Sequence, residues 1–136
     1  METHHLFVSG TLMSAAAGRL GRAERERLQR QSDSLGAATV CGRLHDLGSY
    51  PGLVASDDAA DVVHGEVFAL RDATASLRWL DAYEGLIAGN HDSNEYQRAV
   101  RPVRLASGSE LTAWVYLYAR GPATARVLAD GRWPTG

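Results

Sequence analysis

The chain has 136 residues, 45% of them apolar, and a net charge of −2, which suits one domain with a real core and argues against a general nucleic-acid binder. Cys41 is the single cysteine, so no internal disulfide forms and a reduced, cytoplasmic setting is expected. All 14 basic residues are Arg, which excludes a Lys Schiff base, a P-loop lysine and a lysine general base.

Leu6 to Ser9 is a short apolar run feeding Gly10-Thr11, the pattern of a strand ending in a tight turn. The opening residues lack the basic, apolar and small-residue order of a secretory signal. Residues 14 to 34 predict a solvated helix. Arg19, Arg22, Arg25, Arg27 and Arg30 are interleaved there with Glu24 and Glu26, which suits ion pairing better than a nucleic-acid patch. Ala37 to Leu47 predict a second strand, broken by Gly42. Gly48 to Gly52 form a turn cluster, and Asp57 to Asp61 a solvated acidic tip. Val62 to Leu70 predict a third strand with Val63, Val67 and Ala69 on one face. Asp72 or Thr74 can cap the helix that follows, from Ala73 to Glu84. Leu86 to Glu95 read as a polar loop. Tyr96 to Leu105 and Leu111 to Tyr118 predict a hairpin across Ser107-Gly108-Ser109.

In the last of these strands Trp114, Tyr116 and Tyr118 alternate with Val115 and Leu117. Both faces are apolar, so the strand is central. Pro102 puts its partner at an edge or a bulge. Gly131-Arg132-Trp133-Pro134 is expected to fold back on the body. No apolar run approaches the roughly 18 residues of a membrane span. About five strands, not separated by regular helices, argue against a doubly wound parallel sheet. The expected class is α+β: a small mixed, partly closed β-barrel with flanking helices, forming one domain over residues 1–136.

The chain's 5 His residues are His4, His5, His45, His64 and His91, and none makes a zinc spacing with Cys41 or with another His. His91 to Glu95 read better as a polar loop than as a ligand set, so no metal site is expected. The Gly-x-Ser-x-Gly elbow of one serine hydrolase class is absent. One carboxylate stands out. At about 100° per residue, Ala73, Leu77 and Leu80 mark an apolar stripe, with Trp79 and Tyr83 widening one side. Glu84 falls inside that stripe, between Leu80 and Leu77. A carboxylate there must be paired, protonated or put to use, because burying a bare charge is costly. Gly85 reads as a helix stop, so the pattern also allows a Glu84 turned out to solvent.

Six segments then combine in order. They are Phe7-Val8-Ser9-Gly10-Thr11-Leu12; Gly42-Arg43-Leu44 leading to Tyr50-Pro51-Gly52-Leu53; Val63-x-Gly65-Glu66-Val67; Leu80-Asp81-x-Tyr83-Glu84-Gly85; Tyr96-x-Arg98; and Ala113-x-Val115-Tyr116. From residue 6 to about residue 118 the chain resembles the gamma-glutamylcyclotransferase-like family, which includes gamma-glutamylamine cyclotransferases. The resemblance implies a small mixed barrel with helices. It implies an intramolecular reaction in which the alpha-amine of a gamma-glutamyl group attacks its own gamma-carbonyl. An amine or amino acid leaves and 5-oxoproline remains. The partner implied is a small-molecule gamma-glutamyl substrate, with no cofactor required. The charge and the lack of a long apolar run separately lead us to expect no nucleic acid and no membrane, and oligomeric state and leaving group stay open.

The resemblance also implies roles. The family's Tyr-Gly-Ser/Thr-Leu loop, which holds the glutamyl end, maps onto Ser9, Gly10, Thr11 and Leu12, and its acid/base glutamate maps onto Glu84. Desolvation against Leu77 and Leu80 and the negative end of the helix dipole would both favour a protonated acid, which suits a proton carrier. Tyr50 and Tyr96 are candidate pocket walls or ordinary packing at strand ends. The Thr11 hydroxyl either bonds substrate or closes its own turn. Arg98 reads as a surface or ion-pair residue more than as a substrate anchor. Ser9 departs from the family's Tyr, which implies a wider or wetter pocket. Specificity could then shift, or the chain could keep the fold as a small-molecule binding or interaction module without the chemistry.

Overall fold

The computed structural model describes residues 3–10, 12–13, 21–48, 51–84, 96–119 and 126–133. In chain order the elements are β1 (His5–Val8), α1 (Arg22–Gln31), β2 (Ser32–Asp46), β3 (Pro51–Ala55), β4 (Val62–Leu70), α2 (Ala73–Tyr83), β5 (Tyr96–Leu105), β6 (Glu110–Tyr118) and β7 (Arg126–Val127). Strands run in the order β3-β2-β4-β1-β6-β5, and a further β2–β5 pairing closes the ring β2-β4-β1-β6-β5 into a five-stranded barrel. Closure is brief: Ala38 faces Leu105 and Thr39 faces Arg104. The class is the expected α+β barrel with flanking helices.

Alternation along the strands builds two apolar clusters, one on each face of the sheet. Phe7, Ala38, Val40, Val63, Val67, Val103, Ala113 and Val115 point to one side and pack together. Leu6, Val8, Phe68, Leu70, Tyr96, Trp114 and Tyr116 point to the other, where Leu28 of α1 and Leu77 and Leu80 of α2 cover them. Strand β6 is therefore apolar on both faces and central, with β1 parallel on one side and β5 antiparallel on the other. Leu105 N–H donates to Ser109 O, and the antiparallel alternation from there aims the nitrogen of Pro102 away from β6. Pairing to β2 involves only Arg104 and Leu105, so no ladder bond is lost at Pro102.

Three expectations are corrected. The second strand runs unbroken through Gly42 and starts earlier, at Ser32, with a register shift between Ser34 and Gly36. Gly42 stays in the ladder because β3 crowds it: a Cβ there would lie 2.8 Å from Val54 O and 2.9 Å from Leu53 Cδ1. Pro51 and Gly52, read as turn residues, open strand β3, where Pro51 pairs with Asp46 and Gly52 with His45. Helix α1 is also less solvated than its charge suggests. Arg22 and Glu26 make the expected surface pair at 3.8 Å, but Arg25 is buried beside Leu28 on the inner side.

Helix α2 begins where Asp72 accepts a bond from Ala75 N–H at 3.2 Å, a side-chain N-cap. It docks on α1 through Gln31, whose Oε1 accepts from Ser76 Oγ and from Trp79 Nε1, while Arg27 lies 4.6 Å over the Trp79 ring. The C-terminal segment folds back as expected: β7 pairs with β2, and Leu128 and Trp133 pack against the cluster around Val63. Among the described residues no helix is long and apolar enough to cross a membrane.

Candidate active site

Glu84 is the C-cap of α2, with φ −80° and ψ 0°, and its N–H bonds Leu80 O at 2.9 Å. Its backbone keeps helical geometry, so its side chain continues the helical spiral. At about 100° per residue it lies roughly 40° from Leu80 and roughly 60° from Asp81. Leu80 is fully buried, Asp81 is half-buried, and Glu84 itself is half-buried. The carboxylate thus sits at the border between the apolar stripe and a polar cluster.

That cluster was not assembled from the sequence. Arg98 and Tyr116 stand opposite each other across the β5–β6 hairpin, and both face α2. Arg98 grips Asp81 with two parallel bonds, Nε to Oδ1 at 2.8 Å and NH2 to Oδ2 at 3.1 Å. Tyr116 Oη donates to the same Oδ1 at 2.7 Å. The guanidinium of Arg98 lies 4.2 Å over the Trp114 ring, and Trp114 Nε1 in turn donates to Thr3 O at 2.9 Å. Burial holds the Tyr116 phenol neutral, well above its usual range, and the bond to Asp81 adds to this. The charges of Asp81 and Glu84 push the same way, and Arg98 opposes them. Glu84 therefore acts electrostatically on the Tyr116 hydroxyl. In the sequence, Asp81 and Tyr116 stand inside the motifs with no role assigned by them. The spacing Asp81-x-x-Glu84, one helical turn, was the signal that could have joined the two carboxylates.

The loop after β1 meets this region from the strand side. Gly10 O accepts from Met13 N–H at 3.1 Å. Gly10 has no left-handed backbone; its need is space, because a Cβ would lie 2.9 Å from Pro51 Cγ. Pro51 O accepts from Tyr96 Oη at 2.8 Å, and the Tyr96 ring meets Tyr118 edge-on at 5.7 Å. Leu12 is buried in the same cluster as Leu80, Tyr96 and Tyr116. Ser9 is half-buried. Gly10, Leu12 and Tyr96 are thus joined in one packed unit under α2. Tyr96 is buried, with its hydroxyl on Pro51, so packing is a large part of its role. Thr11 and Tyr50, expected at the site, lie outside the described residues. Arg98 is spent on Asp81, in line with its reading as an ion-pair residue.

This arrangement puts a half-buried carboxylate at the end of a helix whose Leu80 shares one apolar cluster with Leu12 and Tyr96. A family model described as "Gamma-glutamyl cyclotransferase, AIG2-like" matches residues 6–135. The chain belongs to that family. A Vibrio cholerae protein named "Putative gamma-glutamylcyclotransferase" is 33% identical over 132 residues, covering 96% of this chain and 95% of the relative. The fold recurs in an AIG2-like protein (GGACT) from Mus musculus, with a TM-score of 0.68 at 21% identity over 95% of this chain and 88% of the other. YkqA from Bacillus subtilis also matches, with a TM-score of 0.68 at 21% identity over 97% of this chain, which spans 40% of YkqA. At these identities the two structures speak for the fold. Family and relative together make this chain a gamma-glutamylcyclotransferase-like enzyme.

Proposed function

We propose that the protein converts a gamma-glutamyl amine or peptide to 5-oxoproline and a free amine, without a cofactor, and that Glu84 carries the proton. The observation that supports this most is the position of Glu84 itself: half-buried at the α2 C-cap, between Leu80 and the Asp81–Tyr116 pair, in a member of this family. The substrate's alpha-ammonium cannot attack until it loses a proton. A carboxylate within about 3 Å takes that proton, a step that typically contributes about 10² to 10⁴ in rate. The freed amine attacks the gamma-carbonyl carbon, and the ring closes through a tetrahedral intermediate. The bond from that carbon to the leaving nitrogen then breaks. The ring nitrogen sheds the second proton it no longer needs to water, and protonated Glu84 gives its own proton to the leaving nitrogen. The carboxylate is thereby regenerated and one proton is released overall, which the free amine can take up. The nucleophile belongs to the substrate, so none of these steps calls on a redox centre.

In this reading Ser9, Gly10, Thr11 and Leu12 hold the glutamyl end, with Tyr50 and Tyr96 as walls. Backbone N–H groups near Gly10 suit a carboxylate or a developing oxyanion, and a folded substrate chain gains several kcal/mol from positioning. Screening gamma-glutamyl amines and dipeptides for 5-oxoproline release tests the reaction. On a confirmed substrate, Glu84→Gln is expected to lower kcat by about 10² or more with the fold intact. Full turnover in that variant would overturn the acid/base role. A second reading, a binding module that keeps ligand without turning it over, draws on Ser9, which is half-buried where the family's Tyr is expected. Binding without 5-oxoproline release across the same panel would favour it.

A further inference from the structure

We propose that Asp81 is the positioning residue for Glu84, and that it works through its shared grip on Arg98 and Tyr116. The inference rests on the reading of Glu84 as acid/base. Helix α2 has no basic residue in its last turn, so nothing on the helix itself complements the negative end of its dipole. Arg98, from β5, supplies that charge through Asp81. Two parallel bonds fix the plane of the carboxylate, and the Trp114 ring under the guanidinium keeps Arg98 from swinging out. Asp81 and Glu84 are one turn apart, so clamping Asp81 to the hairpin sets the azimuth of Glu84 as well.

Tyr116 adds a chemical consequence. A phenol has one proton to donate, and Tyr116 gives it to Asp81 Oδ1. Toward Glu84 the hydroxyl oxygen then offers only lone pairs. Such an oxygen accepts a hydrogen bond from protonated Glu84 or from the substrate's ammonium group, and it cannot act as the acid for the leaving group. Asp81 is already engaged, with Oδ1 accepting from Arg98 and Tyr116 and Oδ2 from Arg98, so taking up a proton would work against that set of bonds. The proton traffic therefore falls to Glu84, and Asp81 serves by holding the groups around it.

The test is a double-mutant cycle in the full chain, with wild type, Asp81→Asn, Glu84→Gln and the double variant on one gamma-glutamyl substrate. Asp81→Asn should lower kcat about tenfold to a hundredfold, with KM within about twofold, because misplacing a catalytic group costs rate more than binding. The double variant should be no slower than Glu84→Gln alone. In the same samples, the carbon-13 signal of the Glu84 carboxyl, assigned by its loss in Glu84→Gln, should move in Asp81→Asn. Unchanged kcat in a folded Asp81→Asn, or losses that simply multiply in the double variant, overturns the positioning role and leaves Glu84 standing. Full turnover in Glu84→Gln overturns both. An unmoved Glu84 signal overturns the positioning role whatever the turnover. Where Asp81→Asn does not fold, Tyr116→Phe, which leaves Arg98 on Asp81, carries the same cycle and the same readouts.

Discussion

Arg98 and Tyr116 face each other across the β5–β6 hairpin and share one acceptor, Asp81 Oδ1, which belongs to the helix above them. The hairpin and α2 are thus joined by a polar contact set into an otherwise apolar interface of Leu77, Leu80, Trp114 and Tyr96. Both side chains of the Arg98–Asp81 pair are about three-quarters buried, with 23% and 26% exposure, so solvent screens the pair only in part.

Removing Arg98 should therefore cost more than the loss of a surface ion pair. Arg98→Ala leaves Asp81 half-buried with Tyr116 as its remaining donor in the cluster, and it uncovers the Trp114 ring. Breaking one side of a buried pair costs about 3–5 kcal/mol, and partial exposure lowers that here to about 2–3 kcal/mol. Thermal melts should show Tm down by about 6–15 °C, taking 3–5 °C per kcal/mol at this chain length. Arg98→Lys, which keeps the charge but loses the fork, should fall between the two. A Tm within about 2 °C of wild type for Arg98→Ala would show that the pair is not holding the hairpin to α2.

How the sequence pointed to parts of this and missed others follows from where the information lies. Strand β4 was legible to the residue because Val62, Val63, Val67 and Phe68 give it strand-type residues and polar turn residues bracket it. Helix α2 was legible from its 3.6-residue period, and with it the unusual place of Glu84. Strand β3 was hidden because Pro51 and Gly52 have turn chemistry; they are extended only because β2 pairs with them. The first residues of β2 look like helix surface, and pairing with β4 makes them strand. The Asp81 cluster joins residues 17 and 35 positions apart, and no local period encodes such a distance. The hairpin register put Arg98 and Tyr116 side by side, but only the docking of α2 gave them a common acceptor.

Tyr116 makes alkaline stability a readout of the same cluster. Its folded-state pKa lies well above the ordinary value of 10.0, chiefly through burial and then through Asp81. The fold favours the neutral phenol, so the stabilisation is fully present below about pH 10 and fades as pH rises above it. Over that range this one group lowers unfolding free energy by up to about 1.4 kcal/mol per pH unit. Tyr116→Phe should be less stable than wild type at pH 8, by about 1–2 kcal/mol for a lost buried hydrogen bond. The gap should narrow steadily between pH 10 and 11.5, because Phe has no proton to lose. Denaturant unfolding at a series of pH values measures it, and two parallel curves would show that Tyr116 is not held neutral by the fold.

Gly10 packs on Pro51 of β3, which in turn holds Tyr96 of β5, and Gly10→Ala should disturb all three together. The added methyl would lie 2.9 Å from Pro51 Cγ and 3.0 Å from Cδ, too close to keep. The proline ring is rigid, so either the loop or the start of β3 must move. A shift of Pro51 pulls its carbonyl from Tyr96 Oη, the buried phenol that also packs on Tyr118. Overpacking of this kind costs about 1–3 kcal/mol in stability. If the loop holds the glutamyl end as proposed, KM should rise more than kcat falls, because Glu84 sits on α2 and is not moved directly. This is the reverse of the split expected for Asp81→Asn, so steady-state kinetics on one substrate separates the two halves of the site. A Gly10→Ala enzyme with wild-type KM and a lowered Tm would mean that the Gly10–Pro51 contact serves the fold and not the substrate.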